Sequence, residues 1–203
     1  MNYYQPLLAD NPYHIFSRAN GSERLFTCKE DYLFFLGRYQ KYIAPVADTF
    51  VYALLPNHFH FLIKVKPYST LANRFKRSKK VKEEYEGWQP DYVMQQFSNM
   101  LNSYSKSFNY KYSRKGALFM DYLRRVEIDT DEQFSSTIFY IHKNPVHHGY
   151  CANLTDWQWS SFNAMISTAP TNLLRTEVLN WFGNLDKFIE YHCQPVYLKD
   201  FME

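Results

Sequence analysis

Cysteine and glycine are scarce in this chain of 203 residues, which contains three cysteines and six glycines. Cys28, Cys151 and Cys193 are far apart and form no CxxC pair, which argues against a disulfide framework or a structural zinc site. No run of about 18 apolar residues occurs, and no basic segment followed by an apolar one opens the chain. We therefore expect a soluble, cytoplasmic protein without a membrane segment.

The composition is that of a folded chain, with 46% hydrophobic and 21% charged residues. Its length suits a single domain over residues 1–203. The net charge of +3 is too small to demonstrate a nucleic-acid partner and is compatible with one only if the basic residues cluster. Aromatic residues make up 19% of the chain, and they can either pack a core or stack on unpaired bases.

The first part of the chain predicts a strand, a helix and a strand pair. Tyr13 to Arg18 is short, aromatic and β-branched, and apolar residues recur at helical spacing from Glu30 to Ile43. Thr49 to Leu55 and His58 to Lys66 are strand-like runs separated by Pro56-Asn57, which can turn the chain. We expect these two runs to be adjacent antiparallel strands.

The second part predicts a long helix, a strand and a third helix. Residues 67–91 are strongly charged, and we interpret them as a mobile excursion. Helical spacing then runs from Tyr92 to Tyr112, a strand-like run covers residues 116–128, and Thr130 can cap a helix that stops near Asn144-Pro145. Short helices are expected to close the chain between about 156 and 203.

This order, β-α-β-β-α-β-α, predicts an α+β protein with a ferredoxin-like antiparallel sheet, as in RNA-recognition (RRM-like) domains. In that arrangement the helices lie on one face of the sheet, and the other face is available to a ligand.

The most specific local feature is His58-Phe59-His60 within a strand. Side chains alternate across a strand, so His58 and His60 project from the same face and could bind one metal ion. A bare HxH is also compatible with two strand histidines that bind nothing. Tyr140 and Asn144 are four residues apart, so a helix that continues through Asn144 would place the phenol beside an amide oxygen able to ligate the same ion. On spacing alone, Tyr140 is equally compatible with one more core aromatic.

Four motifs together carry a family resemblance. LLPNHFHFLIK (Leu54 to Lys64), SRKGALFMDYLRR (Ser113 to Arg125), YIHKNPVHHG (Tyr140 to Gly149) and DWQWSS (Asp156 to Ser161) follow one another in the chain. With the opening segment from Tyr13 to Leu36, the chain resembles the REP-associated tyrosine transposases, which belong to the HUH single-strand transposases. The resemblance extends from about residue 12 to residue 192.

The resemblance implies the HUH transposase fold and a metal-dependent endonuclease and strand-transferase that acts on single-stranded DNA at hairpin-forming repeats. It places the metal-binding HUH pair on His58 and His60, the nucleophile that forms a 5′-phosphotyrosine on Tyr140, and the third ligand on Asn144. Some relatives have the longer glutamine at that last position. The implied cofactor is Mg²⁺ or Mn²⁺, with Mn²⁺ an effective substitute because two imidazoles are soft ligands for Mg²⁺.

Two basic groups could follow DNA phosphates, although a solvated charged face is the ordinary alternative. The candidate DNA-binding residues are Arg74, Lys76, Arg77, Lys79, Lys80 and Lys82, and Lys106, Lys111, Arg114, Lys115, Arg124 and Arg125. Two rival functions stay open: a non-catalytic module that binds single-stranded nucleic acid, and a small-molecule metalloenzyme with a third strong ligand and an apolar pocket. The sequence does not separate a monomer from a homodimer, and it assigns no role to His142, His147 and His148.

Overall fold

A computed structural model describes residues 3–79, 88–120 and 123–194 of the chain. Its strands are β1 (Pro12–Arg18), β2 (Ala47–Leu55), β3 (His58–Val65) and β4 (Arg124–Glu127). Its helices are α1 (Lys29–Tyr42), α2 (Tyr68–Lys79), α3 (Trp88–Lys111), α4 (Asp131–His147), α5 (Phe162–Ile166), α6 (Arg175–Phe182) and α7 (Leu185–His192), with a 3₁₀ turn at Leu154–Asp156. None of the described helices is both long and apolar enough to cross a membrane.

The four strands form one antiparallel sheet in the order β2-β3-β1-β4. The turn at Pro56-Asn57 joins β2 and β3 into the predicted hairpin, and β1 inserts between β3 and β4. This order is that of the ferredoxin-like fold, so the predicted fold class is confirmed.

One face of the sheet packs against α1 and α3. Phe59, Phe61 and Ile63 of β3 lie on this face and share a core with Phe35 of α1 and Phe97 of α3. Each of these side chains is almost fully buried. This is the face on which the sequence predicts helices.

The opposite face is also covered, but only in part. Helix α4 packs on β2 and β3, and the C-terminal helices complete a second core with residues such as Val51, Leu62, Ile138 and Phe188. The expectation that the helices lie on one face and leave the other open is therefore wrong for this half of the sheet. The reason is visible in the residues, because β2 and β3 are nearly continuous apolar runs, typical of strands buried on both sides.

The predicted mobile excursion at 67–91 contains regular structure where it is described. Tyr68–Lys79 is a helix, and Trp88 already begins α3. Leu71, Ala72 and Phe75 give α2 an apolar side, and the Phe75 ring packs 4.7 Å from that of Trp88, centroid to centroid. The many charged residues of this segment made its short apolar stripe difficult to recognise in the sequence. The interpretation as a mobile segment is therefore wrong for α2. Residues 80–87 lie outside the described ranges.

Candidate active site and metal centre

His58 and His60 lie at the start of β3, on the sheet face that α4 partly covers. In the antiparallel register, His60 is directly opposite Phe16 of β1, and His58 is opposite Arg18. Directly paired residues share a face of the sheet, so all four side chains project to the same side. The two imidazole centroids are 5.1 Å apart. The structure thus brings the two imidazoles together as the alternation of the strand predicts.

His60 is held by His14, a residue that the sequence motifs do not mark. His14 Nε2 lies 3.0 Å from His60 Nδ1, and the two rings are stacked. If His60 Nδ1–H is the donor, the lone pair of His60 Nε2 is left available to a ligand. Burial, with a smaller contribution from neighbouring histidines, lowers the pKa of His60 well below its usual value. The neutral ring is the form that binds a metal ion.

His58 has an oxygen atom near each ring nitrogen. Asn57 Oδ1 lies 2.8 Å from His58 Nδ1, and Asn144 Oδ1 lies 2.8 Å from His58 Nε2. A neutral histidine that donates from Nδ1 to Asn57 presents a lone pair at Nε2 to the lone pairs of the Asn144 oxygen. His58 Nε2 and Asn144 Oδ1 would repel each other at this distance unless a proton or a cation lies between them. The repulsion is also absent if the Asn144 amide is rotated so that its Nδ2 donates to His58 Nε2.

The polar atoms of this cluster fit a divalent cation. His60 Nε2 is buried and has no hydrogen-bond partner among the described residues, and such orphaned groups are uncommon in folded proteins. His58 Nε2 and Asn144 Oδ1 are separated by about the distance expected for two adjacent ligands of one ion. Among the described residues no three His, Cys, Asp or Glu side chains form a metal group. Asn144 and water would therefore have to complete the coordination shell.

Helix α4 carries both Tyr140 and Asn144 to this cluster. Thr130 caps its first turn by accepting a hydrogen bond from Gln133 N at 3.2 Å. The helix continues to His147 with Pro145 inside it, although the sequence predicts an end near Asn144. A proline so close to the end of a helix removes the donor to one carbonyl group only, so the last turn persists. Gly149, at φ 70°, then ends the helix.

Tyr140 packs against the two histidines whose ring nitrogens contact each other, His14 and His60. Its ring centroid is 5.3 Å from that of His60 and 6.0 Å from that of His14, in edge-to-face geometry. Only 4% of the residue is exposed, so the side chain is nearly buried in this conformation. Tyr140 is thus next to the histidine pair, as predicted.

A small cleft of about 70 Å³ opens beside the histidines. This volume suits a hydrated ion and a few waters. The cleft is lined by Phe16, Ser17, Arg18, Asn57, His58, His60, Met120, Arg124 and His148. None of these described residues is acidic, which suits an anionic ligand.

Of the predicted DNA-binding residues that the structure describes, only Arg124 lines this cleft. Three others make internal contacts instead. Lys111 pairs with Asp31 at 2.7 Å, Arg114 pairs with Glu23, and Arg125 donates to the carbonyl oxygens of Tyr4 and Gln5. Lys111 and Arg114 also lie at the end of the helix that covers the opposite face. These contacts engage all three cations in this structure, and their role in binding DNA stays a prediction.

The remaining basic candidates lie away from the lining of the cleft. Arg74, Lys76 and Arg77 are exposed on α2, and Lys106 and Lys115 are exposed on α3 and just after it. Lys79 ends α2, but its side chain is not among those described, and Lys80 and Lys82 lie outside the described residues. Their role in binding DNA stays a prediction.

Sequence reasoning missed His14, Phe16, Arg18 and Asn57. The alternation in YHIFSR already places the first three on one face of β1. What the sequence did not reveal is the register that sets this face beside His58 and His60. Of the histidines without a predicted role, His148 lines the cleft, with its ring 5.0 Å from that of His58, whereas His142 is buried on the other side of α4.

Comparisons with known proteins give two matches, and no protein-family model matches the chain. A Haemophilus influenzae protein that carries the provisional name REP-associated tyrosine transposase is 26% identical over 147 residues, or 68% of this chain and 69% of the relative. A solved structure of a REP-associated tyrosine transposase bound to a REP hairpin matches with a TM-score of 0.53 and 14% identity. That match covers 84% of this chain and 88% of the solved one, and it establishes the fold. The resemblance predicted from the sequence motifs is confirmed.

Proposed function

We propose that this protein is a metal-dependent endonuclease and strand-transferase for single-stranded DNA at hairpin-forming repeats. The observation that carries the proposal is the meeting of residues from two distant segments. Asn144 Oδ1 lies 2.8 Å from His58 Nε2 although 86 residues separate them, and Tyr140 lies one helical turn away beside His60. A nucleophile, two imidazoles and an amide oxygen at one point is the arrangement that such chemistry requires.

The comparisons support the proposed substrate class. The matching solved protein is bound to a REP hairpin, and this chain shares its fold over most of its length. A cleft lined by Arg18 and Arg124 and by no described acidic residue supports a polyanionic partner here as well.

His58, His60 and Asn144 would hold the Mg²⁺ or Mn²⁺ ion. When bound, the ion polarises a phosphoryl oxygen and stabilises charge in the transition state. His14 contributes by fixing the orientation and the tautomer of His60, and Asn57 does the same for His58.

Tyr140 provides the nucleophile. Its Oη attacks the phosphorus, the P–O3′ bond breaks, and the departing 3′ oxygen takes up a proton, which leaves a 5′-phosphotyrosine and a free 3′ hydroxyl. The proton of the phenol passes to solvent. Attack by a second 3′ hydroxyl reverses these bond changes and joins two strands without ATP. Because only 4% of Tyr140 is exposed in this conformation, we expect substrate binding to increase the exposure of the ring.

The same burial of Tyr140 favours the alternative function, a module that binds single-stranded nucleic acid without cutting it. This alternative and the proposal differ in one product. Only the proposed chemistry leaves DNA covalently attached to a tyrosine.

The test is incubation of labelled single-stranded hairpin oligonucleotides with the wild type, Tyr140→Phe and Tyr150→Phe, followed by denaturing gel analysis. Tyr150 is the matched control because it is 40% exposed and near His148, so it is the tyrosine that a non-specific reaction would use. We expect a protein–DNA adduct with Mn²⁺ or Mg²⁺, none with a chelator, none in Tyr140→Phe, and an unchanged amount in Tyr150→Phe. An adduct that survives in Tyr140→Phe, or hairpin binding without any adduct in the wild type, would overturn the proposal.

A further inference from the structure

Cys28 belongs to a cluster of reactive side chains where the start of α1 meets the end of α3. These two helices pack on the sheet face opposite the histidines. Cys28 is the N-cap residue of α1, and its Sγ lies 3.1 Å from Lys111 Nζ and 3.5 Å from Tyr112 Oη. The ammonium group of Lys111 is therefore close enough to donate a hydrogen bond to the sulfur.

Asp31 holds Lys111 in position and in its charged form. Lys111 Nζ lies 2.7 Å from Asp31 Oδ1, and Tyr112 Oη donates to Asp31 Oδ2 at 2.8 Å. The hydrogen bond with Asp31 above all, and those with Cys28 and Tyr112, raise the pKa of Lys111. The sulfur thus faces an ammonium group that stays charged and that stabilises negative charge on the sulfur.

Glu30 gives the thiol of Cys28 an acceptor for its proton. A hydrogen bond with the Cys28 side chain is the largest of the effects that lower the pKa of Glu30. Glu30, Asp31 and Lys111 also line a cleft of about 310 Å³ between α1 and α3, so a small molecule can approach the cluster from solvent. A nucleophilic sulfur therefore lies between a group that accepts a proton and a group that donates one.

The other two cysteines have different surroundings. Cys193 is exposed, and Cys151 is half-buried, as Cys28 is. Within the described residues, no hydrogen bond or ion pair joins the sulfur of either one to a lysine or an arginine. Burial raises the pKa of the Cys151 thiol, and the charge of Asp156 raises it further. Exposure alone would make Cys193 the most reactive thiol of the three, whereas the surroundings favour Cys28.

We propose that Cys28 is a site of oxidation by hydroperoxides, activated by Lys111. The sulfur attacks one oxygen of hydrogen peroxide, so that an S–O bond forms and the O–O bond breaks. The thiol proton passes to Glu30, and the departing oxygen takes a proton from Lys111. The sulfur gives up two electrons to the peroxide, and the products are a sulfenic acid at Cys28 and one water molecule. Solvent then returns both side chains to their charged forms.

The experiment measures the oxidation of all three cysteines in one protein. The fully reduced chain is treated with hydrogen peroxide in the presence of a chelator, which prevents metal-catalysed oxidation, and dimedone labels each sulfenic acid as it forms. Peptide mass spectrometry gives the labelling rate at each cysteine, so Cys151 and Cys193 serve as internal controls. The test variant is Lys111→Met, which removes the ammonium group, and its matched control is Lys111→Arg, which keeps the charge.

We expect Cys28 to be labelled about tenfold faster than Cys151 and Cys193. Lys111→Met should lower the rate at Cys28 about tenfold, and Lys111→Arg should lower it by no more than about threefold. Unchanged rates at the two control cysteines show that the variants are folded. Labelling in the order of exposure, with Cys193 first, would overturn the proposal, as would an unchanged rate at Cys28 in Lys111→Met.

Alkylation by iodoacetamide separates a chemical role of Lys111 from a structural one. The same sulfur reacts, but the leaving group is iodide, which needs no proton. Lys111→Met should therefore slow the alkylation of Cys28 by only about threefold, through the lost charge, against about tenfold for the peroxide reaction. Equal losses in the two reactions would refute the proton transfer from Lys111. The inference involves neither DNA nor the metal site, so it stands or fails independently of the proposed function.

Discussion

Two histidine clusters lie on opposite sides of α4, and they differ in how their nitrogen atoms are satisfied. The core histidines, His142 and His192, form a closed network. His142 Nε2 lies 2.8 Å from Ser161 Oγ, His142 Nδ1 lies 3.0 Å from His192 Nε2, and His192 Nδ1 donates to Phe188 O at 2.7 Å. If Ser161 and both rings donate in one direction along this chain, every nitrogen is paired and both rings are neutral.

The cleft histidines, His14, His58 and His60, leave the network open. His60 Nε2 is buried without a partner, and His58 Nε2 faces an amide oxygen. Burial lowers the pKa of members of both clusters, so perturbed ionisation alone does not identify the active site. The two clusters differ in His60 Nε2, which has no partner within the described part of the chain; such a buried nitrogen is costly for folding and useful for binding a ligand.

His60→Leu tests this contrast with the largest expected effect. The substitution removes a proposed ligand, so we expect metal-dependent cleavage to fall at least about a thousandfold, equivalent to several kcal/mol of transition-state stabilisation. The free energy of unfolding in chelator should fall by only about 1 kcal/mol, because the change removes the unpaired Nε2 of His60 while it leaves His14 Nε2 without its partner. Cleavage assays and urea unfolding measure the two quantities. Full activity in this variant would refute the metal site.

His142→Leu should show the opposite pattern. It leaves His192 Nε2 buried without its partner, whereas Ser161 Oγ keeps its hydrogen bonds with the backbone of Tyr52, so the free energy of unfolding should fall by about 1–3 kcal/mol. Urea denaturation followed by circular dichroism measures this. At a temperature where the variant is folded, cleavage should fall much less than in His60→Leu. A variant as stable as the wild type would show that the closed network does not stabilise the protein.

The pH dependence of stability should report the core histidines. Burial lowers the pKa of His192 to about 4, with the Phe188 carbonyl opposing the shift. The unfolded chain therefore takes up a proton at this residue as the pH falls through about 6.5, while the folded protein stays neutral until about 4. The contribution of neutral His192 to the free energy of unfolding is therefore fully present above about pH 6.5. It is lost progressively as the pH falls to about 4, by at most about 3 kcal/mol.

His192→Leu is the comparison for that measurement. Urea unfolding of both proteins at several pH values between 8 and about 4.5 should show a smaller pH dependence in the variant. The same slope in both proteins would mean that other groups cause the acid sensitivity of the wild type.

The sequence predicted the elements better than their packing. Short runs rich in aromatic and β-branched residues located β1, β2 and β3, and the spacing of Tyr140 and Asn144 placed both on one side of α4. The register that brings His14 and Phe16 beside His60 depends on pairing between strands 46 residues apart, which no local pattern encodes. The cover formed by α4 depends likewise on long-range packing of Ile138 and Phe188.

Two basic residues also show that the local sequence does not determine which surface a side chain reaches in the folded protein. Arg124 and Arg125 are adjacent and chemically identical, so composition assigned both to DNA. Alternation in β4 sends Arg124 to the cleft and Arg125 to the N-terminal segment, where backbone oxygens take its donors. Which face of β4 meets the cleft is fixed by its pairing with β1, where Phe16 is opposite Arg124.

Asn144→Asp tests whether Asn144 is a metal ligand or only holds His58 in place. The substitution changes the charge of this candidate ligand and little of its shape. Asn144 is fully buried, so in chelator the new carboxylate should lower the free energy of unfolding. With Mg²⁺ or Mn²⁺ present the loss should be reversed, and the apparent metal affinity should rise about tenfold, since a carboxylate is a better ligand for a hard cation than an amide. Calorimetric metal titration and unfolding in chelator or metal measure both effects, with Asn144→Leu as the variant that cannot ligate. If Asn144 only holds His58, as Ser161 holds His142, metal will not restore the stability of Asn144→Asp.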